Sequence, residues 1–113
     1  KTMLNEVKMD EMMMELGFPE SLRGTQYLRE AAARWARDPG QQLTGELYPA
    51  LAEAHNASPS QIERCMRHAI ERAWQQGNPD AQRRLFGWTY SASTGRPRVG
   101  EFVARMARVC RED

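Results

Sequence analysis

The chain has 113 residues, of which 41% are hydrophobic and 27% charged, and its formal net charge is +1. That length and content support one modest core and so a single domain over residues 1–113, while the near-neutral balance excludes the strongly basic class of non-specific nucleic-acid binders. No apolar stretch approaches a membrane span, and the first residues lack the charged, apolar and small-residue succession of a secretory leader.

Helical periodicity runs through nearly the whole chain. The spacing predicts a first helix from about Leu4 to Leu16, with Met9, Met12, Met13 and Leu16 inward and Gly17 and Pro19 as the stop. Its methionines read as adaptable core packing rather than ligands. A second helix over about Thr25 to Arg37 buries Tyr27, Leu28, Ala31 and Trp35 and ends at Asp38-Pro39-Gly40. Leu43 and Leu47 belong to a short helical turn before Tyr48-Pro49.

Residues 51–74, LAEAHNASPSQIERCMRHAIERAW, read as a helix-turn-helix. Leu51 and Ala52 lie on the short first helix, Asn56 stands where the turn needs a left-handed backbone, and Ala57 is small enough to tuck in behind it. Ser58 suits the N-cap, Pro59 the first helical position, and Gln61 completes a capping box. From there Ile62, Met66, Ala69, Ile70, Ala73 and Trp74 make one apolar face, widened by Cys65. The opposite face carries Ser60, Gln61, Glu63, Arg64, Arg67, His68, Glu71 and Arg72, too polar to bury without partners.

In a helix-turn-helix the early residues of the second helix enter the major groove, so Ser60, Gln61, Glu63 and Arg64 are the candidate base readers. Arg64 can fork onto guanine O6 and N7, and Glu63 can accept from a cytosine N4 amine. Ser58, Arg67 and His68 suit the backbone or mixed contacts that set register. The same residues equally suit a solvated helix surface, since Arg67 with Glu71 and Arg64 with His68 are spaced i, i+4.

Beyond this helix, Gly77 is a stop and Asn78-Pro79-Asp80 caps a further helix to about Phe86. Trp88 to Arg98 reads as a loop in which Arg96 and Arg98 are candidate phosphate contacts or merely solvated, and a last helix from about Val99 turns Phe102, Val103, Met106, Val109 and Cys110 inward. Cys65 and Cys110 fall on apolar faces and are expected to be buried free thiols, as suits a reduced compartment. Neither they nor the two histidines, His55 and His68, have metal-ligand spacing, and no phosphate loop, carboxylate pair or Cys-His constellation marks an enzyme. No cofactor is implied.

Charge is unevenly spread: residues 1–57 hold 6 Lys plus Arg against 9 Asp plus Glu, and residues 58–113 hold 10 against 6. Fourteen of the 16 basic residues are Arg, which suits bidentate recognition of guanine and phosphate but equally follows from a codon bias.

Five separated segments now align with a known family in its own order: QYLREA (Gln26 to Ala31), ELYP (Glu46 to Pro49), IERCMRHAIERAW (Ile62 to Trp74), GNPD (Gly77 to Asp80) and LFGW (Leu85 to Trp88). They closely resemble the C-terminal effector domain of stage 0 sporulation protein A, an all-helical DNA-binding module of a bacterial response regulator, from about Met9 to the end of the chain. The resemblance implies that Glu63, Arg64, Arg67 and His68 lie on the recognition helix and read a TGTCGAA-type element. It further implies tandem binding with self-association on DNA. It also implies contact between the segment after the recognition helix and the RNA polymerase sigma subunit, with Gln75, Gln76, Asn78, Asp80, Arg83, Arg84, Phe86 and Trp88 as candidates.

The chain departs from the family pattern at Gln61, where a basic residue is common, and at His55, where a large apolar residue is common. It departs again at Val99 and Gly100, in place of a Ser or Thr helix start, and in a shorter linker around Asp38 to Gln42. Gln61 would retune DNA affinity, and His55 would loosen the first helix of the motif. The expectation is an all-α, compact bundle of about six helices containing a helix-turn-helix, acting as a cytoplasmic, nucleoid-associated transcription regulator and not as an enzyme. The alternative is a helix-turn-helix used mainly for protein contact. Because the chain starts at Lys1, it is expected to be a fragment of a response regulator whose receiver domain precedes it.

Overall fold

A computed structural model describes residues 3–87 and 94–112. Its element order is β1 (Met3–Leu4), α1 (Glu6–Leu16), α2 (Arg23–Arg37), a π turn (Leu43–Leu47), α3 (Tyr48–Ala54), α4 (Pro59–Gln76), α5 (Pro79–Phe86), α6 (Val99–Val109) and β2 (Arg111–Glu112). The architecture is the all-α bundle expected. No helix among the described residues is long and apolar enough to cross a membrane.

Local chemistry places most helix ends. Asn5 caps α1 by accepting from the Lys8 amide at 3.0 Å, and Gly17 ends it in the left-handed conformation, φ 98°. Asn78 caps α5 by accepting from the Asp80 and Ala81 amides at 2.9 and 3.3 Å. The helix start expected at about Leu4 comes two residues later, at Glu6, because Leu4 pairs instead with Arg111 in a two-residue antiparallel clasp. The Asn5 amide extends that clasp by donating to the Cys110 carbonyl at 2.7 Å, so the two ends of the described chain are tied together. Likewise α2 begins at Arg23 rather than Thr25, and the buried Thr25 hydroxyl donates to the Pro19 carbonyl at 2.7 Å.

Central to the bundle is α2, which packs on α4 along one side and on α6 along another. Gly24 allows the α4 crossing: a Cβ there would sit 1.9 Å from the Cys65 carbonyl oxygen and 2.9 Å from the Ala69 Cβ. Any side chain would push α2 off α4. At the other end of the core, Phe18, Trp74, Phe86 and Phe102 form an aromatic cluster. Phe86 and Phe102 are stacked with centroids 5.0 Å apart, and Trp74 meets Phe86 edge-on at 5.5 Å. Trp35, expected in the core, is only half-buried, and so is Cys65, whereas Cys110 is buried with its thiol 3.5 Å from the Met12 sulfur.

Two helix ends and the body of a third helix meet at one buried amide. Gln82, 3% exposed, donates from Nε2 to the Leu16 carbonyl at 3.0 Å and the Ala73 carbonyl at 2.8 Å. Gly77 makes room for this, since a Cβ on it would fall 1.9 Å from the Leu16 oxygen and 2.7 Å from the Gln82 amide nitrogen. The C-terminal ends of α1 and α4 and the body of α5 are therefore joined where helices normally leave unsatisfied carbonyls.

Candidate nucleic-acid interface

The motif expected at residues 51–74 corresponds to α3, a turn over residues 55–58 and α4. Asn56 has φ 53°, the positive value the turn requires and one that asparagine tolerates. The Ser58 hydroxyl accepts from the Gln61 amide at 3.2 Å, while Gln61 Oε1 accepts from the Ser58 amide at 2.8 Å, and Pro59 opens the helix. Both halves of the capping box are therefore formed, and α4 runs 18 residues from a rigid start. Ile62, Met66, Ala69, Ile70 and Ala73 are buried, so α4 has one inward face and presents the opposite one to solvent.

His55, the C-cap of α3, pairs with Glu30 of α2 at 2.5 Å and lies 4.8 Å from the Tyr27 ring, tying the turn to α2. Tyr48, at the start of α3, is buried, and burial followed by the Glu63 carboxylate pushes its hydroxyl from 10.0 up to about 12.

The outward face of α4 divides by partner. Ser58, Ser60, Gln61, Arg64, Arg67 and His68 are exposed, and Glu63 is half-buried. Neither Arg64 nor His68 has an intramolecular hydrogen bond or ion pair among the described residues, leaving the Arg64 guanidinium with its full set of donors. Arg67 instead donates from Nε to Glu63 at 3.1 Å and lies 3.8 Å from Glu71, and the Glu63 bond and charge raise its already high pKa further. Exposed pairs of this kind contribute only about 0.2–1 kcal/mol, so a phosphate can take Arg67 away at small cost. The same exchange frees Glu63 to accept from a base.

Gln61 is more constrained than its sequence position implied. With Oε1 committed to the cap, it can offer only its amide donors, so bidentate recognition of an adenine, which needs a donor and an acceptor, would break the capping box. Ser60 is held 3.2 Å from the Ser58 hydroxyl.

A cleft of about 250 Å³ opens beside this surface, lined by Arg23 and Tyr27 of α2, by His55, Asn56 and Ala57 of the turn, and by Gln61, Arg64 and Cys65 of α4. Arg23 is the residue that sequence reasoning missed: it is exposed, without a partner among the described residues, and brought to Arg64 only by the Gly24 crossing. A larger groove of about 620 Å³ lies towards the other end of α2, about 18 Å from Arg23 along the helix axis, with walls that include Trp35, Pro39, Leu85 and Ala104. Arg105, Arg108, Arg111 and Glu101 also line it, but it lies away from the turn and the outward face of α4.

The remaining candidates separate as clearly. Arg96 is half-buried and bonded to Glu71 at 3.2 Å, whereas Arg98 is exposed. Val99 and Gly100 start α6 without a Ser or Thr cap, but the Glu101 carboxylate accepts from the Arg98 amide at 2.9 Å and supplies half of one. Beyond α4, Gln75, Gln76, Asn78, Asp80, Arg83 and Arg84 are exposed; Asp80 and Arg83 pair at 3.4 Å, and Arg84 reaches Glu15 of α1 at 2.5 Å. Phe86 is a correction: it is fully buried in the aromatic cluster and cannot meet a partner. Trp88 lies outside the described residues.

Residues 9–109 match the family model described as sporulation initiation factor Spo0A C terminal. The chain belongs to that family. The Spo0A C-terminal domain is a DNA-binding regulatory domain and not an enzymatic family, in agreement with the resemblance carried by the five segments. Within it, this chain supplies a capped helix whose exposed face carries unpartnered Arg64 and His68 beside a basic cleft.

Proposed function

We propose that this domain regulates transcription by placing the N-terminal half of α4 in the major groove of a TGTCGAA-type element, with Arg64 on a guanine, Glu63 on a cytosine, and Ser60 and Gln61 beside them. The observation that carries this reading is Arg64: exposed and unpartnered, one turn into a helix whose start is fixed by a complete capping box. Ser58, Arg67, His68 and Arg98 hold the sugar-phosphate backbone, and Arg96 joins them only by leaving Glu71. Two copies occupy tandem elements, while the exposed polar residues of α5 and the end of α4, without Phe86, meet the sigma subunit of RNA polymerase. In the cell the domain serves as one effector unit of a response regulator, acting at the nucleoid.

Fluorescence anisotropy with a duplex holding two tandem elements and with a scrambled duplex, across a salt series, tests the reading. Preference for the element that persists as salt rises is expected, because phosphate contacts fade with salt whereas base contacts discriminate. Equal binding to both duplexes, erased together by salt, overturns it and favours a module that contacts protein.

A further inference from the structure

The base-reading surface ends at the cleft between α4, the turn and the start of α2, and that cleft contains two arginines from different helices. Arg64 belongs to the reading face, whereas Arg23 is the first residue of α2, and neither has an intramolecular partner among the described residues. The other charged groups at the cleft do not neutralise them. No carboxylate lines the cleft, and His55, which does, is engaged by Glu30. An exposed guanidinium pair with no acid between its members repels itself unless an anion bridges or separates it.

With α4 in a major groove about 12 Å wide, the strand bordering the groove must pass beside the turn that leads into α4. Arg23 stands on that border because Gly24 presses the start of α2 onto the α4 backbone at Cys65, one residue after Arg64. The placement is rigid: Gly24 and Thr25 are both buried, and the Thr25 hydroxyl is bonded back to Pro19.

We infer that Arg23 is a phosphate-anchoring residue of the DNA interface, contributed by α2 from outside the helix-turn-helix and gripping the strand that flanks the bases read by Arg64. The inference rests on the proposed DNA-reading face. Its role is sequence-independent: it sets register and adds affinity to any duplex.

The test is Arg23→Gln, which keeps the length and polarity of an exposed side chain and removes its charge, with Arg108→Gln, whose parent arginine lines the distant apolar groove, as the control. Anisotropy is read on a duplex with one element and on its scrambled counterpart. Losing one phosphate contact should make the slope of log K against log salt shallower by about 0.9, which is about an eightfold weakening at 0.1 M salt that closes towards 1 M. The loss should be equal on both duplexes, and Arg108→Gln should leave the slope unchanged. An unchanged slope for Arg23→Gln, or a loss confined to the element-bearing duplex, overturns the assignment. The parent reading fails differently: the unsubstituted domain would then bind both duplexes alike, while the Arg23 slope would still be measurable on either.

Discussion

Replacing Gln82 by Met tests how the far end of the recognition helix is held. The side chain is buried and its amide donates to two helix-end carbonyls, so a volume-matched apolar replacement keeps the packing and deletes both bonds. The two losses differ. The Ala73 oxygen keeps the Gly77 amide at 2.7 Å, so losing Gln82 there costs about 0.5–1 kcal/mol. The Leu16 oxygen, at the C-terminal end of α1, loses the partner that Gln82 supplies, and an unsatisfied buried carbonyl costs about 1–3 kcal/mol. Together Gln82→Met should destabilise the domain by about 1.5–4 kcal/mol. For a chain of 113 residues, with an unfolding entropy of about 2.1 cal/mol/K per residue, that lowers Tm by about 6–17 °C. Thermal unfolding followed by far-UV circular dichroism measures it. Because Ala73 lies about 14 Å from Arg64 along α4, DNA preference measured well below the new Tm should be unchanged. A Tm drop under about 3 °C would refute the account of the three-helix junction, and a lost DNA preference at full folding would show that the junction acts on the reading face.

Three further perturbations separate the roles of single side chains. Arg64→Ala should cost about 1–3 kcal/mol on the element and little on scrambled DNA, whereas Arg67→Ala should weaken both alike; equal losses for Arg64→Ala in competition anisotropy would remove it from the base-reading set. Gln61→Glu keeps the acceptor that caps Ser58 and places a carboxylate at a helix N-terminus, so Tm should hold or rise slightly while affinity for DNA falls, since donors facing the groove are replaced by a negative charge. Unaltered affinity would mean that Gln61 does not face DNA. Tyr48 has a folded pKa raised to about 12 from 10.0, so its contribution is fully present below pH 10 and is lost as pH rises towards 12, amounting to at most about 2.7 kcal/mol. Tyr48→Phe should therefore flatten the fall in Tm above about pH 10 relative to the unsubstituted domain, and parallel curves would show that this hydroxyl is not the group responsible.

What the sequence disclosed was local. Asn56, Ser58, Pro59 and Gln61 fix the motif because each acts on backbone within three residues of itself, and Gly17 and Asn78 mark helix ends for the same reason. Features that depend on distant contacts stayed hidden: the clasp of Met3–Leu4 on Arg111–Glu112 is two residues long on each side and carries no periodicity, and Arg23 reaches Arg64 only through a helix crossing. Phe86 is a different case, since the signal existed. In α5, Ala81, Gln82 and Phe86 are buried, Leu85 is half-buried and Asp80, Arg83 and Arg84 are exposed, so the helical spacing alone puts Phe86 inward and marks Gln82 as a polar side chain in need of buried partners. The resemblance drew the segment as one contact surface, and periodicity splits it into a face and a core.

Charge was the least legible property, because a solvated helix face and a DNA-reading face ask for the same residues. Partnership separates them only in part. Arg29, Arg67, Arg83, Arg84 and Arg96 are engaged by acids of this chain, so their exposure is no measure of affinity for phosphate. Arg34, Arg37 and Arg108 have no such partner among the described residues, yet lie nowhere near the turn of the motif. Arg23 and Arg64 alone combine exposure, lack of a partner among the described residues, and a place on the cleft that adjoins the capped start of α4. That convergence explains where a domain of near-neutral net charge can grip a polyanion: five of its arginines are engaged by its own acids, and two that are not, Arg23 and Arg64, share the cleft along which the backbone of DNA would run.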